Sequence, residues 1–148
     1  MTWILYLHIL AACAWIGGSI VLFGLGLFIK DKTIQHVVYG VIGPFYGYFE
    51  TVGLMILIAT GLVLANHYAL FSVIGSSETE IARLFTLKIA LVALLATVTL
   101  IHLAIAFATH SKDRTLLQHL LSRGSSMAIF FLNLSILWVA INLRSSLQ

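Results

Sequence analysis

The sequence predicts an all-α, polytopic membrane protein built as a bundle of four transmembrane helices. Of its 148 residues, 61% are hydrophobic and only 9% are charged, whereas soluble domains carry about 25% charged residues. The charged residues lie mostly between long apolar stretches, which is the arrangement of a chain that crosses a lipid bilayer several times. The net charge of +3 therefore indicates basic loops, and nucleic acid is not expected as a partner.

Each predicted span follows from its length, since a membrane-crossing helix needs about 20 mostly apolar residues. The predicted spans are residues 3–29, 41–66, 83–109 and 121–144, which together form one domain. The first lacks a basic segment before it and is too long for a signal-peptide core, so an uncleaved first helix is expected. The fourth is preceded by TLLQHLLSRG, which is typical of an amphipathic helix in the membrane interface.

The charges of the connections predict the orientation, because basic loops stay on the cytoplasmic side. The second connection carries the acids Glu78 and Glu80. The first and third connections carry the basic residues Lys30, Lys32, Lys112, Arg114 and Arg123. Both termini are therefore predicted on the outer, periplasmic side of a bacterial inner membrane, although Arg144 near the C-terminus opposes this orientation.

Ionisable side chains inside the predicted spans are candidates for function, since one charged group at the membrane centre costs about 2.5–3.5 kcal/mol on insertion scales. Their depths predict two layers. The outer layer holds His8, Lys88 and His67, and the inner layer holds Glu50 and His102.

Helical spacing predicts which faces turn towards the centre of the bundle. On the first helix one face carries His8, Ala12, Trp15 and Ser19. On the third helix one stripe carries Lys88, Leu95, Thr99 and His102. Both faces are more polar than the rest of their helices, as expected for surfaces turned away from lipid.

Axial ligation of haem is the chemistry that best suits a neutral imidazole in a dry helix bundle. His8 is predicted as the best ligand, with His67 as the rival second ligand. Lys88 has three candidate roles: ligand to iron after loss of its proton, counter-ion of a haem propionate, or binder of an anionic substrate. Glu50 and His102 form a hypothetical proton or quinone relay in the inner layer.

Structural roles remain open for the same residues. Lys88 lies near the outer interface and could extend its ammonium group into water, and His8 could be a hydrogen-bonded core histidine. Glu50 could pair with His102 or stay protonated. Copper is the other metal option, with Cys13 and Met55 as further ligands, but Cys13 lies on a different face from His8 and Met55 is isolated.

Three motifs carry a resemblance to a known superfamily: LHILAACAWIGG, ATGLVLA and LKIALVALLATVTLIH. They resemble the membrane proteins that include the HemJ-type protoporphyrinogen oxidases and the CopD-like copper-resistance proteins. In the HemJ type, a histidine in helix one is followed seven residues later by tryptophan, as His8 is by Trp15. A lysine opens a KxALV stretch in helix three, as Lys88 does, and a histidine follows later, similar to His102.

This resemblance implies a haem b in the bundle, with His8 and Lys88 as the two essential positions. It implies a redox protein that passes electrons between a substrate or partner and the quinone pool, either a protoporphyrinogen oxidase-like oxidoreductase or an electron-transfer subunit. The CopD-like alternative is a copper transport or handling protein without a fixed haem. The HemJ type also has a proline–arginine segment after its tryptophan. The corresponding segment here, SIVLFGLGLFIKDK, contains neither residue. The arginine expected to pair with the carboxylates of a porphyrinogen is therefore absent from this segment.

Eleven glycines, concentrated in the first two spans, favour close contact between helices. A homo-oligomer or a place as a subunit of a larger membrane complex is therefore expected.

Overall fold

The structure, a computed structural model, describes residues 1–75, 79–108 and 116–146, so that Glu78, Lys112 and Arg114 lie outside the described residues. Every regular element within them is a helix, which confirms the predicted all-α class. The four long helices are α1 (Thr2–Phe28), α2 (Lys32–His67), α3 (Glu80–Ala108) and α4 (Leu116–Ser146). A short 3-10 helix, Leu70–Val73, lies between α2 and α3.

Each long helix contains a stretch that is long and apolar enough to cross a membrane. These stretches are Thr2–Phe28, Phe45–His67, Glu80–Ile105 and Gly124–Ser146. Large apolar side chains such as Trp3 and Phe28, 79% and 85% exposed, cover their outer surfaces, as lipid contact requires. The chain is thus a multi-pass membrane protein, as predicted, and the side on which its termini lie stays a prediction.

The first connection is shorter than predicted, because α2 begins at Lys32 and not at residue 41. The Asp31 carboxylate accepts hydrogen bonds from the backbone N–H groups of Thr33 at 2.8 Å and Ile34 at 3.3 Å. Such an N-cap satisfies donors that the first turn of a helix leaves unpaired. The polar segment KTIQHVVY is therefore helical, and α2 continues from it through Pro44 into the apolar stretch.

The third helix also begins earlier than predicted, at Glu80 and not at residue 83. The Thr79 hydroxyl accepts a hydrogen bond from the backbone N–H of Ala82 at 3.2 Å, so Thr79 caps the start of α3 as Asp31 caps α2. In α4 the helix begins at Leu116, eight residues before the apolar stretch that starts at Gly124. The expected helical segment ahead of the fourth span is thus present in the backbone.

Two compact units make up the chain. The first hairpin, Met1–Tyr68, contains α1 and α2, and the second hairpin, Ala69–Gln148, contains the 3-10 helix, α3 and α4. Each hairpin has its own buried side chains, and the predicted single four-helix domain stays a prediction.

Aromatic side chains packed on glycines join the helices of the first hairpin. The Trp15 ring lies against Gly53, where an added Cβ would come within 3.8 Å of Cε3. The Tyr46 ring lies against Gly18, where an added Cβ would come within 2.5 Å of Cε2. At Gly18 only glycine permits so close an approach, whereas at Gly53 an added methyl group would make an ordinary contact. Close approach is the usual role of small residues between membrane helices.

The residues of this contact recur every seven positions, as in a coiled coil. The series on α1 is His8, Trp15 and Leu22, and the series on α2 is Tyr39, Tyr46, Gly53 and Thr60. The Tyr39 hydroxyl donates to the Leu22 carbonyl at 2.9 Å, so polar bonds cross the contact as well. We call this contact the α1–α2 seam.

The second hairpin buries an apolar stripe between α3 and α4. Its most buried members are Ala82, Phe85, Leu95, Ile129, Val139 and Leu143, all at most 5% exposed. At one end, the Phe71 ring of the 3-10 helix meets Phe85 edge-on, with ring centroids 6.2 Å apart. Along α3, Phe85 follows Ala82 by three residues and buried Thr99 follows Leu95 by four, which are the spacings of one buried helix face.

Replacement of Gly18 by alanine is expected to destabilise the first hairpin, because the new methyl group would overlap the Tyr46 ring. Overpacking of this kind costs about 1–3 kcal/mol. Gly17→Ala is the matched control, since an added Cβ there meets nothing within 4 Å. Thermal unfolding in detergent would compare the two variants, and equal midpoints would show that the seam is not closely packed.

Candidate functional site

His8 lies in the α1–α2 seam with its imidazole fixed by α2. Its Nδ1 is 2.8 Å from the Thr60 hydroxyl, and that hydroxyl donates its hydrogen to the Ile56 carbonyl at 2.6 Å. Because a hydroxyl has one hydrogen, a Thr60 that donates to the Ile56 carbonyl accepts from His8, and in that arrangement Nδ1 carries the proton. A neutral His8 therefore has its lone pair on Nε2.

The ring of His8 also packs closely against Gly61 of α2. A Cβ added to Gly61 would lie 3.3 Å from Cε1 of His8, closer than a side chain ordinarily packs. Ring position and tautomer are thus both determined by α2. Metal-binding histidines have this arrangement, in which a hydrogen bond at one ring nitrogen orients the other, so His8 fits the role of an axial haem ligand.

His67, the rival second ligand, is not brought to His8 within this hairpin. It lies exposed at the end of α2, with its ring edge-on to Tyr68 at 5.1 Å. It follows Thr60 by seven residues, which is about 10 Å along a helix. The contacts of the first hairpin therefore do not join the two rings, and His67 as second ligand stays a prediction.

A second cluster of polar side chains in the seam includes Glu50, which is only 5% exposed. The Trp15 indole, 2% exposed, is turned towards the Glu50 carboxyl, but its Nε1 has no hydrogen-bond partner at normal distance. The Tyr46 hydroxyl lies 3.4 Å from both the Ser19 hydroxyl and the Trp15 carbonyl. Trp15 and Ser19 thus lie on the inward face, as predicted, and Trp15 belongs to the core around Glu50.

Lys88 lies half-buried on α3 in the second hairpin. The only acid among the described residues of this hairpin is Glu80, eight residues and about 12 Å earlier on the same helix. Among the described residues of its hairpin, the Lys88 ammonium therefore has no carboxylate neighbour. His8 and Lys88 belong to different hairpins, and their cooperation at one haem stays a prediction.

His102 and Thr99 lie where α3 meets α4. The His102 Nδ1 is 2.7 Å from the Ser125 hydroxyl of α4, so His102 has a partner in its own hairpin. Thr99 is 2% exposed, and its hydroxyl has no hydrogen-bond partner among the described residues. Together with buried Leu95, these positions confirm the predicted inward stripe of α3, whereas pairing of His102 with Glu50 stays a prediction.

The additional residues proposed for copper lie on the outer surface of the first hairpin. Cys13 is an exposed free thiol, and Met55 is 67% exposed. No group of three or more His, Cys, Asp or Glu side chains able to hold a metal ion occurs among the described residues. That finding concerns ions held by several side chains, whereas haem iron is held by its porphyrin and one or two axial ligands.

Three partners of the candidate residues were not predicted: Thr60, Tyr46 and Ser125. The signal for the first two is present in the sequence, because Tyr39, Tyr46, Gly53 and Thr60 recur every seven residues along α2. That period marks the α2 surface facing another helix, opposite the series that contains His8 and Trp15. Ser125 precedes most of the fourth apolar stretch and has no comparable signal.

No protein-family model, curated protein or solved structure matches the chain. The resemblance to the HemJ-type and CopD-like proteins thus stays a prediction that depends on the three quoted motifs. The hydrogen bonds of His8 and the surroundings of Glu50 are independent of that resemblance.

Thr60→Val and Thr99→Val form a matched pair of isosteric changes with opposite expected results. The first removes a hydroxyl that binds both His8 and the Ile56 carbonyl, and should lower the free energy of unfolding by about 0.6–1.7 kcal/mol, the range measured between membrane helices. The second removes a buried hydroxyl that has no hydrogen-bond partner among the described residues, and should leave the free energy of unfolding unchanged or raise it. Unfolding in mixed micelles would measure both, and an equal loss would contradict the assignment of partners.

Proposed function

We propose that the protein is a haem b-binding redox protein of the bacterial inner membrane. It passes electrons between a substrate or partner and the quinone pool, as an oxidoreductase or as an electron-transfer subunit. When bound, haem b supplies reversible one-electron chemistry. The observation that supports this function best is the His8 imidazole, whose Nδ1 bonds the Thr60 hydroxyl and whose ring packs on Gly61.

The role of His8 in this proposal is to hold the iron through Nε2. The bond to Thr60 keeps the proton on Nδ1, and the Ile56 carbonyl keeps the Thr60 hydroxyl pointing away from His8. These two hydrogen bonds orient the ring and make Nε2 a stronger ligand for iron. Partners at the second ring nitrogen act in this way in other metal sites. Thr60 is thus a positioning residue.

Lys88 is proposed as the second functional residue. A half-buried ammonium that has no carboxylate beside it among the described residues of its hairpin is suited to an anionic group, either a haem propionate or an anionic substrate. Ligation of iron requires loss of its proton and is the remaining possibility. A protoporphyrinogen substrate has less support than the haem, because the first hairpin lacks the arginine that would pair with its carboxylates.

The orientation and assembly of the protein belong to the same proposal. The basic first and third connections place both termini on the periplasmic side. The glycine-rich helices favour a homo-oligomer or a larger membrane complex. A copper-handling role has no support from the geometry, since Cys13 and Met55 lie exposed and apart from the oriented ring of His8.

Haem content of purified variants would test the ligand assignment. His8→Ala is expected to lose most of the haem, and His67→Ala to retain it, because His67 lies two helical turns from the partner of His8. Thr60→Val is expected to keep haem but to change its midpoint potential, since the orientation of the axial ring is lost. Met55→Leu, an exposed site on α2, serves as the control for expression and extraction.

Full haem content in His8→Ala would contradict the proposal. A colourless wild-type protein that binds copper, with binding reduced in Met55→Leu or Cys13→Ser, would instead support the CopD-like alternative.

A further inference from the structure

Glu50 occupies a position where an ionised carboxylate is unfavourable. It belongs to the apolar stretch Phe45–His67 and is 5% exposed. Five residues separate it from the start of that stretch, or about 8 Å along the helix. An isolated carboxylate in such surroundings loses its hydration and becomes neutral instead, unless a cation lies beside it.

Among its described residues, the first hairpin places no lysine or arginine at this position. Helix α1, the only helix packed on α2 within the hairpin, contains no Asp, Glu, Lys or Arg. Lys32 lies eighteen residues before Glu50 on the same helix, about 27 Å away. Trp15 of α1 and Tyr46, one turn earlier on α2, lie near Glu50, and of these two only Tyr46 is titratable.

The indole of Trp15 supplies an independent observation. Its Nε1 is a donor only, it belongs to a residue 2% exposed, and it has no regular hydrogen-bond partner. It is turned towards the Glu50 carboxyl. A protonated carboxyl presents a carbonyl oxygen that can accept from this N–H and an O–H that remains available for transfer.

We infer that Glu50, held between α1 and α2 beside the Trp15 indole, is a proton-binding site inside the membrane. The site takes up a proton as Glu50 becomes a neutral acid and returns it when the carboxylate forms. The nearby Trp15 N–H is a donor that either form of the carboxyl can use. This inference depends only on the first hairpin, and not on haem. A site of this kind would let the protein combine electron transfer with proton transfer.

Infrared spectroscopy of the full chain in lipid vesicles would test the site, because the carbonyl stretch of a protonated carboxyl is separate from carboxylate bands. The chain has only five acidic side chains, so single assignments are practical. At about pH 6, where an exposed glutamate is ionised, the wild type is expected to show a protonated-carboxyl band that Glu50→Gln removes. Glu80→Gln, at an exposed position on α3, is the matched control and should retain the band.

Two further results complete the test. Trp15→Phe should keep the band and shift it to higher frequency, since the carbonyl loses its donor, and Glu50→Gln should unfold at the wild-type temperature because the amide resembles the neutral acid. The absence of a band assigned to Glu50 at about pH 6 would overturn the inference. Loss of that band on addition of sodium or potassium would also overturn it and identify a cation site.

Discussion

The contact between aromatic rings of one helix and glycines of the other is the interaction on which the first hairpin depends. Trp15 packs on Gly53, and Tyr46 packs on Gly18. This packing matters because lipid supplies no hydrophobic force between membrane helices, so van der Waals contact and hydrogen bonds must hold them together. Close approach of the backbones then allows short polar side chains to reach across, as the His8–Thr60 bond does.

The same close approach explains why two different kinds of chemistry lie on one surface. At one level of the α1–α2 seam, the Thr60 hydroxyl bonds Nδ1 of His8 and orients its ring. At another level, Glu50 is enclosed beside Trp15, with no lysine or arginine near it among the described residues of its hairpin. One arrangement suits a metal ligand and the other suits a proton, and both arise because buried polar groups in a membrane must be paired or neutral.

The sequence predicted the class of the protein and the inward faces well, since both depend on local composition and period. It misplaced the starts of α2 and α3, because the caps supplied by Asp31 and Thr79 extend each helix beyond its apolar part. It identified His8 and Glu50 from the cost of burying ionisable groups. It did not identify Thr60 or Tyr46, since their roles depend on which residues of two helices come face to face.

The central claim is that the oriented His8 binds haem b, and the most direct test is a dithionite-reduced minus air-oxidised absorption spectrum of the purified protein. The account predicts a sharp shift of the Soret band together with the α-band of a b-type haem. A flat difference spectrum from protein expressed with ample haem would contradict the account.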